Sequence, residues 1–346
     1  MQPSTNEQLL KSVSRSLFLS FKILPSHIKP AMSIAYLLCR AADTIADTDL
    51  LSQEERLSYL KNFKDCFKSF PLSLPDQIIF SEKIKNAVLG EKTSEEILLK
   101  SLEQCFRALH CLSQTEKTLI QKVVLAVTTG MTNDLNDFKN GTKENPQSLQ
   151  TSHQLENYIG LIGGEPGRFW LSLFLFHDHK KIKNSDKWIQ QGFKFGTGLQ
   201  LINILRDLPE DLNRGRCYIP DSLLKDYQLK PNELLPNEKS SQFRTLFHFM
   251  IDETLTRMEL GMDCLEMIPF WQIRLRLSIW LPLWIGMKTL ARLRIENNIF
   301  IGKPIKIGRN KIKKGILNSL FKIPFNNLLR KEFTNLKNEA SSKMIC

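Results

Sequence analysis

The chain has 346 residues, 42% hydrophobic and 24% charged, proportions that exclude a fibrous protein and a wholly disordered one. Its 48 Lys and Arg against 36 Asp and Glu leave a net charge of +12. Residues 301–346 alone hold eleven basic side chains against Glu332 and Glu339, so the first 300 residues are close to neutral and the basic character belongs to a tail. Along the chain, MQPSTNEQLL has neither the basic flank nor the apolar core of a secretory signal. Apolar residues then recur at helical spacing: Ile34, Leu37, Leu38, Ala41, Ala42 and Ile45; Leu98, Leu102, Cys105, Phe106 and Leu109; Ile120, Val123, Val124 and Val127; Leu199, Ile202 and Leu205. Breaks are expected at Pro25, Pro71–Pro75, Asn140–Gly141, Gly163–Gly167, Arg214–Gly215 and Pro231–Pro236. This pattern predicts about eight to ten helices and an all-α fold: one helical domain over residues 8–296, followed by a basic amphipathic extension over 297–346.

The longest apolar stretches, Phe169–Phe176 and Leu277–Met287, fall short of the ~20 residues a membrane-spanning helix needs. Seven scattered cysteines with no C-x-x-C pair read as reduced thiols in a cytoplasmic setting. In the tail, Ile and Leu residues alternate with Lys and Arg, which suits an anionic membrane surface at the cytoplasmic face. The alternative is an extension that packs its apolar side on the domain. No nucleic-acid reader module accompanies the basic patch, and no nucleic-acid partner is expected.

Two segments carry the chemistry. In Tyr36-Leu-Leu-Cys-Arg40-Ala-Ala-Asp43-Thr-Ile-Ala-Asp47, helical geometry puts Tyr36, Arg40, Asp43 and Asp47 on one face. In Gln200-Leu-Ile-Asn203-Ile-Leu-Arg206-Asp207-Leu-Pro-Glu-Asp211, Gln200, Asp207 and Asp211 share a face with Asn203 at its edge. Aspartates four apart on an apolar helix are costly to desolvate unless neutralised. Carboxylates with a carboxamide are hard oxygen ligands that suit Mg2+, which prefers to share its sphere with water and phosphate. The competing reading has each Asp capping a helix or paired with Arg40, Arg206 or Arg214. Pro209 predicts a kink in the second segment, or a helix that ends near Asp207.

These segments, with Ser14-Arg15-Ser16, Tyr158–Gly164 (YIGLIGG), the run Gly198–Pro220 and Trp284–Leu293, resemble the squalene/phytoene synthase family of head-to-head isoprenyl diphosphate synthases, in particular its squalene-synthase-like bacterial members. The resemblance spans about residues 10–295. It implies a class I isoprenoid-synthase helical bundle around a central cavity, in which Asp43, Asp47, Asn203, Asp207 and Asp211 hold Mg2+ ions that bridge two prenyl diphosphates. Ser14, Arg15, Ser16, Tyr36, Arg40, Gln200 and Arg206 would contact diphosphate oxygens or the adjacent prenyl chain. Tyr158 would lie near the reacting carbons, and Asp134 would add a further acid facing the cavity. Two positions depart from the family pattern: Ala46 replaces a frequent acidic residue, and the surroundings of Tyr158 are reduced.

The implied reaction joins two farnesyl diphosphates to presqualene diphosphate or squalene, the latter consuming NADPH; phytoene and dehydrosqualene formation are alternatives. A single-substrate terpene cyclase is a rival within the class, and a non-catalytic relative acting as an assembly or binding factor is the rival from another class. His177-Asp178-His179, beside Lys180 and Lys181, reads as an exposed turn, and Gly163-Gly164-Glu165-Pro166-Gly167 as a helix break, either a plain one or, as the resemblance implies, one that opens space for substrate.

Overall fold

The computed structural model describes residues 5–13, 21, 23–88, 93–178, 184–234, 240–295, 308, 315 and 317–341. Among these, fourteen α-helices account for nearly all regular structure, alongside one two-residue parallel pairing of Gln147–Ser148 with Arg216–Cys217. The all-α expectation is met. The helix count exceeds the expected eight to ten because several helices are too short to show a periodic stripe. The chain divides into two compact units, Met1–Asn136 with Phe169–Lys181, and Asp137–Arg168 with Ile182–Cys346.

The first unit contains α1 (Thr5–Val13), α2 (Lys29–Asp47), α3 (Gln53–Asp65), α4 (Leu74–Ala87), α5 (Ser94–Lys100), α6 (Leu102–His110) and nearly all of α7 (Gln114–Asp137). The stripe from Ile34 to Ile45 is buried along α2, which packs on α3, α5 and α6. Ser52 with Glu55 and Thr93 with Glu96 form reciprocal capping boxes that start α3 and α5. Phe63, Phe67, Phe80 and Phe106 meet in one ring cluster.

In the second unit α8 (Ser152–Ile159) runs through a π-helical turn, Gly160–Gly164, into α9 (Glu165–Asp178), whose later part belongs to the first unit. The break expected at Gly163–Gly167 is therefore absent. Those glycines instead let backbones touch. A Cβ on Gly163 would lie 2.4 Å from the carbonyl oxygen of Gly196, and one on Gly167 would lie 2.3 Å from that of Gly192. Gly192 and Gly196 belong to α10 (Ser185–Asn213), which continues through Pro209, so the helix does not end near Asp207. Arg214–Gly215 does break the chain, with Gly215 at φ +81°, a conformation natural to glycine.

α10 packs on the π-helical turn, on α12 (Ser241–Glu266) and on α13 (Ile273–Ile295); the short α11 (Asp221–Asp226) precedes α12. The tail helix α14 (Asn326–Ser341) buries Leu329, Phe333, Leu336 and Ala340 and packs on α12 and α13. Arg330 bridges Asp263 at 2.7 Å and Glu266, and Lys337 reaches Glu259 at 2.8 Å. Arg276 is fully buried and donates to the carbonyl of Ile323 at 2.6 Å.

Candidate active site

α2 begins with Pro30 in its first turn, where the missing N–H costs nothing. Its stripe opposite the core carries Tyr36, Arg40 and Asp43, all half-buried, and Asp47, exposed in the last turn. Arg40 lies between two carboxylates: it pairs with Asp43 and donates to Glu95 of α5 at 2.9 Å. Its Nε is buried with no hydrogen-bond partner. The Tyr36 hydroxyl donates to the carbonyl of Val13 at 3.2 Å, and its ring sits edge-on to Phe21 at 5.0 Å.

Burial, reinforced by repulsion from Asp47, pushes the Asp43 carboxyl up to about 6 despite the Arg40 contact, and Asp134 of α7 adds to the effect. Asp134 is itself buried, at 4% exposure. On this side four carboxylates, Asp43, Asp47, Glu95 and Asp134, stand against the Arg40 guanidinium, which pairs with Asp43 and Glu95. Sequence reasoning missed Glu95, which lies on a seven-residue helix remote from the motif, and Arg56, whose Nη1 donates to the carbonyl of Ala46 at 2.9 Å and closes the end of α2.

The other set lies on α10. Gln200, Asn203, Arg206, Asp207 and Asp211 are all half-buried. Arg206 forks onto the neighbouring Asp207, with Nε 2.7 Å from Oδ1 and Nη2 2.5 Å from Oδ2. This contact, with Asp211 and Glu210 nearby, holds the guanidinium above its ordinary pKa. Asn203 donates to Gln200 at 3.2 Å. Arg214 pairs with Glu210 at 2.9 Å rather than with an aspartate of the motif. Gly163 allows the π-helical turn to settle directly over Gln200, since a Cβ there would fall 2.8 Å from the Gln200 Cβ.

Tyr158 stacks on Tyr218 at 4.6 Å and packs against a cluster that includes Leu201 and Ile204 of α10. Tyr218 was not singled out from the sequence, because it follows the motif in an irregular stretch. Ser14, Arg15 and Ser16 lie outside the described residues.

His177 and Asp178 end α9 rather than forming an exposed turn. The His177 Nε2 lies 3.0 Å from the Glu116 carboxylate and its ring 5.5 Å from His27; His179 lies outside the described residues.

Among the described residues, no three His, Cys, Asp or Glu side chains form a group that could hold a metal ion. A divalent ion at either set would therefore share its sphere with water or phosphate, as Mg2+ does. The residues fit such an ion with a bound anion. Every candidate ligand is a hard oxygen donor, the α2 side carries surplus negative charge around Asp43, and Arg40 keeps a buried donor without a partner.

The chain is 27% identical over 237 residues to a bifunctional lycopene cyclase/phytoene synthase of Arthroderma gypseum, covering 68% of this chain and 37% of that one. It is 28% identical over 207 residues to a presqualene diphosphate synthase of Zymomonas mobilis, covering 60% and 56%. Across the first curated relatives it matches, the chain spans between 32% and 46% of their length. The solved complex of TcSQS with the ligand BPH1237 shares the fold, with a TM-score of 0.71, 18% identity and coverage of 97% and 96%. A family model described as squalene/phytoene synthase matches residues 10–311, and the chain belongs to that family.

Proposed function

We propose that the chain condenses two prenyl diphosphates head to head with release of pyrophosphate, and that the pair is two farnesyl diphosphates giving presqualene diphosphate or squalene. One observation carries this reading. Two helices repeat the same arrangement, aspartates four residues apart with a guanidinium against the first, Arg40 on Asp43 and Arg206 on Asp207, in a chain of this family.

In this reading Asp43, Asp47, Asn203, Asp207 and Asp211 would hold Mg2+, which when bound neutralises charge on the departing pyrophosphate. Arg40 and Arg206 exchange their carboxylates for diphosphate oxygens, with Ser14, Arg15, Ser16, Tyr36 and Gln200 as further contacts and Asp134 as an additional acid. Tyr158 offers an aromatic face near the reacting carbons, where cationic charge develops. Apolar walls keep water from quenching that charge. The basic segment 301–346 brings the chain to an anionic membrane surface.

Two further readings each have an observation behind them. The first-named relative carries phytoene synthase in its name, which makes geranylgeranyl diphosphate the second substrate to test; dehydrosqualene is the corresponding product from farnesyl diphosphate without reduction. Were the pairs of Asp43 and Asp207 with the chain's own arginines to persist with substrate and Mg2+ present, the chain would be a non-catalytic member acting as a binding or assembly factor. The test incubates the purified chain with farnesyl or geranylgeranyl diphosphate, Mg2+, and NADPH present or absent. Expected are pyrophosphate from farnesyl diphosphate and squalene only with NADPH. No pyrophosphate in any arm overturns the catalytic reading in favour of the non-catalytic one.

A further inference from the structure

We infer that the second unit carries a membrane-docking face built from the α12–α13 turn and the segment 317–328, with an anionic lipid surface as its ligand. The inference rests on the membrane reading of the basic segment and names the surface that makes contact. The segment before α14 has two apolar sides. Gly315, Ser319 and Ile323, four residues apart, point inward: Gly315 lies against the Trp284 ring, Ser319 accepts from Trp280 at 2.7 Å, and Ile323 is fully buried. Leu317, Phe321, Phe325 and Leu328 point outward, with Phe321 84% and Phe325 57% exposed. Across a groove of about 530 Å³ that Phe325 shares with Phe270, the α12–α13 turn presents Phe270 and Trp271, in edge contact at 5.0 Å and 61% and 55% exposed. An outward patch of this kind is not needed by the core and marks an interaction surface.

Charge selects the occupant. Asp263, Glu266 and Glu332 beside the patch are each matched by Arg330 or Lys322. Arg274 and Lys331 are exposed and form no ion pair among the described residues. In sequence, residues 303–314 add six Lys or Arg and no acid. Exposed aromatic side chains with cations close by in sequence suit the boundary between anionic headgroups and acyl chains. A second copy of the chain would set this positive surplus against itself. Among the described residues no helix is long and apolar enough to cross a membrane, so contact of this kind is interfacial.

The test is cosedimentation of the full chain with phosphatidylcholine vesicles containing or lacking phosphatidylglycerol. The chain is expected to pellet with the anionic vesicles and to be released by salt. The combined substitution Phe270→Ser, Trp271→Ser, Phe321→Ser and Phe325→Ser is expected to weaken that partitioning about tenfold with an unchanged thermal melt. Phe321→Ser alone, at a side chain the core does not use, repeats the test with about a threefold loss. If the chain binds and both variants bind equally well, this face is overturned while the membrane reading stands. If the unaltered chain fails to pellet with anionic vesicles, both are overturned. If the variants instead convert a lipid-free dimer to monomer and leave vesicle binding unchanged, the face is a self-association surface and the inference fails.

Discussion

The two units hold their aspartate helices by different means. Around α2 polar ties that reach across sequence add to the apolar stripe: Arg40 to Glu95 at 2.9 Å, Arg56 to the carbonyl of Ala46 at 2.9 Å and, on the helix that follows, Gln53 to that of Leu135 at 2.8 Å. Around α10 the distinguishing feature is close backbone approach, with Gly163 against Gly196, Gly167 against Gly192, and Gly261 beneath the Phe195 ring, beside polar ties from Arg257 to Thr197 and from Trp188 to the carbonyl of Cys264, each at 2.9 Å. The same spacing of acids accordingly has two electrostatic outcomes. Arg40 is divided between Asp43 and Glu95, whereas Arg206 serves Asp207 with both arms of its fork. The first unit should therefore respond to pH and the second to volume.

The largest effect separates chemistry from scaffold on both helices. Asp43→Ala and Asp207→Ala should each lower pyrophosphate release at least about a hundredfold with helicity by circular dichroism intact; near-normal rates would remove that residue from the site. Next comes the steric side. Gly196→Ala should cost about 2 kcal/mol, overpacking outweighing the gain in helix propensity, because the added Cβ would fall 2.1 Å from the Gly163 carbonyl oxygen. A raised melting temperature would show that the backbones yield easily.

A smaller effect tests the polar side. Burial alone would raise the Glu116 carboxyl, but hydrogen bonds from Ser113 and His177 outweigh it and hold the group below its ordinary 4.5. Its stabilisation is present above the unfolded value and lost as pH falls through the folded one. Glu116→Gln should thus cost about 1 kcal/mol at neutral pH, and the gap between the two melting curves should close in acid; a constant gap would mean that packing, not charge, is the tie.

What could be read in the sequence was whatever repeats locally. The stripe from Ile34 to Ile45 announces α2 and its polar face, and all six residues are buried. Gly163–Gly167 misleads because the composition that ends a helix also permits one helix to press on another, and only the partner Gly196 distinguishes the two. Of the two outcomes Pro209 predicts, the helix does not end near Asp207: a helix of 29 residues tolerates one lost hydrogen bond when its flanking residues, Leu205, Leu208 and Leu212, are buried. Glu95 and Tyr218 were illegible because each acts through a partner distant in sequence. The motif residues were legible as types, and so was part of their pairing: the competing reading of each Asp paired with an arginine matches Arg40 on Asp43 and Arg206 on Asp207, whereas Arg214 takes Glu210 instead.

That pairing makes one measurement decisive for the proposed chemistry: pyrophosphate release from farnesyl diphosphate by the unaltered chain, titrated with Mg2+ and then with EDTA. The proposal predicts release that rises with Mg2+ and vanishes on chelation. Release that persists unchanged in EDTA, or none at any Mg2+ concentration, would contradict it.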